Sequence, residues 1–82
     1  MSPEELADTV AELYLADMGE VRSAANLDQQ AQLGAYLSGK PLLAEEVLQV
    51  WLRSFGGELD DSDRAEAQRW FDFVLLAGVR ST

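Results

Sequence analysis

Neither cysteine nor histidine occurs in the 82 residues, and Lys40 is the sole lysine. The first absence removes disulfides, thiolate nucleophiles and cysteine-based zinc or iron–sulfur sites. The second removes the commonest general base and metal ligand. Positive charge is scarce, with six Lys or Arg against fifteen Asp or Glu and a formal charge of -9. Phosphate recognition runs on Lys and Arg, so the surface is a poor match for DNA, RNA or anionic lipid. The longest apolar run, Phe73 to Ala77, is far short of the ~20 residues that span a bilayer. With no basic leader-like segment either, the expectation is a cytoplasmic protein that contacts neither membrane nor nucleic acid.

What is present is helical periodicity. An apolar content of 48% favours folding over disorder, and the length suits a single helical domain over residues 1–82. Ser2, Pro3 and Glu5 form a helix start: an N-cap, a first-turn proline and the acid of a capping box. Leu6, Val10, Leu13 and Tyr14 then share one face. Asp17-Met18-Gly19-Glu20 predicts a break or bend, followed by a short turn of helix to about Ala25. The alternative is one continuous helix with Asp17 at the edge of the interface. Asn26 is the next predicted N-cap, and Leu33, Tyr36 and Leu37 the next stripe. Gly39 is expected to end that helix in the left-handed conformation, and Pro41 to start another. Leu43, Val47, Val50, Trp51 and Phe55 form the third stripe, stopped by Gly56-Gly57. The last helix is predicted to begin within Asp60 to Asp63 and to run to about Gly78. The fold class is therefore all-α: a compact bundle of four principal helices, with an extra short helix after Asp17 as the variant.

Two segments are richer in apolar residues than a small bundle surface requires. Nine of the fourteen residues from Leu42 to Phe55 are apolar, as are eight of the ten from Trp70 to Val79. A helix apolar on all sides is buried on all sides. The last helix is thus expected at the centre of the bundle, the alternative being a second chain over part of it.

Few residues are arranged for catalytic or metal chemistry. The serines have no base beside them, and Glu45 and Glu46, being adjacent, diverge around their helix. No enzyme, cofactor or metal site is expected. Asp60, Asp61, Asp63 and Glu66 fail the EF-hand spacing, because Ala65 and Glu66 stand where the pattern needs a ligand and a glycine. Gly56-Gly57 lacks the Lys-Ser/Thr of a phosphate loop. Asp61-Ser62 resembles the start of the Asp-Ser-Leu motif of acyl carrier proteins, but Asp63 replaces the apolar third residue and the resemblance stops there.

The distribution of charge carries what functional signal there is. Six acidic residues and no basic one lie in residues 1–20. Glu5, Asp8 and Glu12 follow one stripe beside Leu15, with Glu20 further on. A second cluster comprises Glu58, Asp60, Asp61, Asp63 and Glu66. These nine residues are the candidate partner-binding surface of a non-enzymatic acidic module. Its partner would be a protein with a basic surface, and it could serve as a stoichiometric inhibitor or nucleic-acid mimic. The alternative is an assembly or adaptor subunit that dimerises, or binds a partner, through Trp51, Phe55, Trp70, Phe71 and Phe73.

Overall fold

Backbone hydrogen bonding along the computed structural model resolves four α-helices. They are α1 (Pro3–Met18), α2 (Ala24–Ser38), α3 (Pro41–Arg53) and α4 (Asp61–Arg80). The structure describes residues 2–19 and 24–80, and no strand occurs among them. The radius of gyration, 12.0 Å, equals the value of about 12 Å that a compact chain of this length gives.

The helix ends follow local chemistry. Ser2 Oγ accepts the Glu5 amide at 3.2 Å with Pro3 in the first turn, so α1 starts as its sequence dictates. Asp60 Oδ1 accepts the Asp63 amide at 2.8 Å and caps α4, leaving Asp61 and Asp63 near the positive end of the helix dipole. Gly56 and Gly57 take φ of 64° and 84°, a region costly for any residue with a Cβ, and they turn the chain out of α3. Pro41 opens α3.

The expected break falls at Gly19: helix α1 runs to Met18, and the Gly19 amide donates to Leu15 O. Two other boundary expectations need correction. Asn26 is not an N-cap, because α2 is already helical from Ala24. Gly39 ends α2 without entering the left-handed region, since only Gly56 and Gly57 have positive φ among the described glycines. The proposed short helix to Ala25 falls largely on residues 20–23, outside the described residues.

Helix α2 packs chiefly on α4, and α1 chiefly on α3. The first pairing is unusually close. A Cβ built on Gly34 would sit 2.0 Å from the Val74 carbonyl oxygen, and one on Gly78 would sit 2.0 Å from the Ala35 nitrogen. The two backbones touch where both helices lack a side chain. Across the molecule, large rings fill a wider space. Tyr14 of α1 lies edge-on to both Trp51 of α3 and Trp70 of α4, each with ring centroids 5.1 Å apart. Trp51 further contacts Phe55 and Phe71. Such pairs contribute about 0.5–1.5 kcal/mol each beyond the area they bury. Trp70 Nε1 donates to Asp17 Oδ2 at 2.9 Å, fastening α4 to the end of α1. One hydrophobic core, including Leu6, Val10, Leu37, Val47, Trp51 and Val74, joins all four helices.

The expectation of a central α4 is overturned. Its buried face is Ala67, Trp70, Phe71, Val74 and Gly78. Phe73, Leu76 and Val79 lie outside, at 57%, 47% and 55% exposure. The Tyr36 reading is also corrected: the side chain is exposed, with the Lys40 ammonium 4.2 Å from its ring centre.

The glycine contact predicts a sharp contrast. Gly→Ala inside a helix gains about 1 kcal/mol of propensity. At Gly34 or Gly78 the new methyl meets backbone, which cannot rotate away, and overpacking typically costs about 1–3 kcal/mol or more. Gly34→Ala and Gly78→Ala should each lower the urea midpoint. Gly39→Ala, whose Cβ would be 4.0 Å from its nearest neighbour, Tyr36 O, should leave it unchanged or raise it.

Candidate functional site

The acidic candidates are at the surface. Glu5, Asp8, Glu12, Glu58, Asp60, Asp61, Asp63 and Glu66 are all exposed, and Glu20 lies outside the described residues. Asp60 is occupied as a cap. Elsewhere Glu45 accepts from Gln49, Arg53 Nε donates to Gln49 O, and Lys40 lies over Tyr36. Arg64 and Arg69 make no ion pair with Glu66 among the described residues. The stripe Glu5–Asp8–Glu12 likewise has no ion-pair partner there. Leu15, beside it, is 68% exposed.

The fold does not merge the two acidic clusters into one surface. Burial raises the pKa of the Tyr14 hydroxyl, and the carboxylates of Glu66 and Asp63 raise it further. Trp70 of α4 packs on Tyr14 and bonds Asp17, so the first half of α4 lies on the Tyr14 flank of α1. Glu5, Asp8 and Glu12 fall roughly 120–180° round the helix from Tyr14, at 100° per residue. The Glu5–Asp8–Glu12 stripe and the Asp63–Glu66 part of the second cluster occupy different flanks.

On the stripe's side, α1 and α2 leave an open groove of about 470 Å³. Leu6, Leu13 and Leu33 supply buried apolar wall, and Thr9, Glu12 and Gln32 supply polar lining. Sequence reasoning did not find this groove, because it depends on how far apart α1 and α2 stand. Among the described residues, no group of three or more carboxylates is arranged to hold a metal ion. None of their helices is long and apolar enough to cross a membrane.

The aromatic candidates divide differently. Trp51, Trp70 and Phe71 are core residues, at 1%, 8% and 2% exposure, and Phe55 is half-buried. Trp51, Trp70 and Phe71 offer almost no surface to a partner while the bundle is folded. Phe73 alone of the five lies open, joined by Leu76 and Val79, which the sequence reading had not singled out. Phe73, Leu76, Ala77 and Arg80 line a shallow cleft of about 330 Å³ on α4. The Trp51 indole N–H is buried with no hydrogen-bond partner among the described residues, and rings of Tyr14, Phe55, Trp70 and Phe71 surround it. It stays in the core because ring packing outweighs an unmet donor that costs about 1–3 kcal/mol.

The chain matches no family model, no curated protein and no solved structure.

The Tyr14 environment gives a pH test of this geometry. A hydroxyl pKa raised above 10.0 in the fold means that the folded state holds its proton more tightly than the unfolded chain. That stabilisation is complete below pH 10 and is lost as pH rises through the folded value. Urea midpoints should fall on the alkaline side of pH 10, and Tyr14→Phe should fall less steeply there. Equal slopes would contradict a Tyr14 hydroxyl pKa raised by the fold.

Proposed function

We propose that the protein is a non-enzymatic binding module whose acidic surface docks on a basic protein surface. One observation carries the reading: Glu5, Asp8 and Glu12 line an exposed flank of α1 with no ion-pair partner among the described residues. A helix gains nothing locally from Glu12, which lies too far from the N-terminus for the dipole to favour it, and like charges at such spacing cost a few tenths of a kcal/mol. An array of carboxylates beside exposed Leu15 and an apolar-walled groove suits Lys and Arg side chains and the apolar residues between them. In its sharper form the module is a stoichiometric inhibitor that occupies a groove otherwise used by nucleic acid, with carboxylates standing in for phosphates. The lack of histidine and cysteine supports the non-enzymatic part of the reading.

The test is affinity capture from the native host at low and high salt, with the captured protein identified. Binding should weaken steeply as salt rises. The combined substitution Glu5→Gln, Asp8→Asn and Glu12→Gln leaves exposed positions uncharged and nearly isosteric. It should weaken binding roughly tenfold, since exposed ion pairs contribute up to about 1 kcal/mol each. Unchanged affinity would remove this stripe from the interface.

A second reading, assembly through apolar helices, is favoured at one place only. That place is the outward face of α4, where Phe73, Leu76 and Val79 stay exposed.

A further inference from the structure

The outward face of α4 has a charge order that selects its own partner. Residues four apart form a row along a helix surface. The row through the middle of this face is Asp72–Leu76–Arg80: acid, apolar, base. Leu76 lies on the side of α4 opposite the buried Trp70, Phe71, Val74 and Gly78. Asp72 and Arg80 are exposed and make no ion pair among the described residues. Phe73, Leu76, Ala77 and Arg80 line a shallow cleft of about 330 Å³ beside the row.

We propose that this face pairs with the same face of a second copy of the chain, α4 against α4 in antiparallel two-fold symmetry. In such a pairing residue i meets j and j meets i. A two-fold axis at Leu76 sets Asp72 of each copy against Arg80 of the other, because both lie four residues from the centre. Leu76 of each copy enters the cleft beside Phe73 and Ala77 of the other. Packing the four-apart rows of two helices into one another gives the commonest helix crossing in globular proteins, and it aligns these rows. A parallel pairing would put Asp72 on Asp72 and Arg80 on Arg80. The row therefore fixes the direction as well as the partner. One helix crossing buries much less than the roughly 1,200 Å² of a standard stable interface, so the dimer belongs to the weak class. Its apolar centre makes it independent of the acidic flank of α1 and far less sensitive to salt than docking there.

Sedimentation equilibrium from micromolar to millimolar concentration reads the association, with helicity by circular dichroism confirming that each variant folds. The native chain should pass from monomer to dimer. Leu76→Glu should remain monomeric throughout. Asp72→Arg and Arg80→Asp should each weaken association roughly tenfold, since every dimer contains two copies of the altered pair. The double variant should recover native association. General charge repulsion gives a different pattern: Asp72→Arg makes the chain less acidic and would strengthen association, while Arg80→Asp would weaken it. That pattern, a double variant that stays weak, or a strict monomer at millimolar concentration would each overturn the proposal.

Discussion

Helices α2 and α4 meet backbone to backbone at Gly34 and Gly78, and much else in the bundle follows from that contact. Two glycines within helices give up about 1 kcal/mol each of helix propensity relative to alanine. The structure retains them because any Cβ would lie 2.0 Å from the opposing main chain. The approach fixes the rotation of α4 as well as its distance. With Gly78 and Val74 turned to α2, Ala67, Trp70 and Phe71 turn inward too, and Leu76 is carried to the far side. The exposed apolar face of α4 is thus a geometric consequence of the residues that hold α4 in place. In a segment with eight apolar residues in ten, one packed face cannot cover them all.

The opposite side of the molecule solves the complementary problem. Where α2 and α4 need no side chains between them, α1, α3 and α4 are joined by the largest ones available. Tyr14, Trp51, Trp70 and Phe71 fill the space between these helices. The bundle is wedge-like in this sense, narrow at the glycines and wide at the rings. Asp17 completes the wide side. Its carboxylate accepts the Trp70 indole proton, so a residue that a simple amphipathic pattern would exclude from the interface becomes the tie between the end of α1 and α4. Trp51, deeper in, has no such acceptor among the described residues and is held by its neighbours' rings. These two tryptophans explain why aromatic content alone was a poor guide to a binding surface: the rings span helix separations within one chain.

Much of this was legible residue by residue, and the misreadings share a cause. Ser2, Pro3, Asp60 and Gly56-Gly57 act within four residues of themselves, and each does what its local chemistry requires. A place for Asp17 at the edge of the interface was legible. Its partner was not, because Trp70 is fifty-three residues away. Gly34 gave no signal, since a glycine inside a helix reads only as a weakness until the opposing backbone is known. Tyr36 shares the spacing of the Leu33–Leu37 stripe, yet it lies on the surface beneath Lys40. Apolar density in α4 was correctly seen as excessive. Density has no direction, however, and only the glycine contact decides which part faces water. The acidic residues were the most legible, because exposure is the default for a carboxylate. Their division between two flanks of α1 needed the position of α4.

That division bears on how an acidic protein of this size can carry two contact surfaces. A formal charge of -9 on 82 residues opposes any close approach of two copies, most strongly at low salt. Self-association therefore requires a place where the charge is locally balanced, and α4 supplies one. Three of the six basic residues, Arg64, Arg69 and Arg80, lie on this helix, whereas α1 has none. On the proposed reading, a basic partner would be drawn to α1 by the same field that holds other copies off it. The two helices would thus favour different partners, a selection that would lie in where six positive charges are placed among fifteen negative ones. Placing Arg80 at the end of α4 serves two purposes at once. It complements the negative end of the helix dipole, as a basic residue in a last turn does, and it completes the acid–apolar–base order of the outward row.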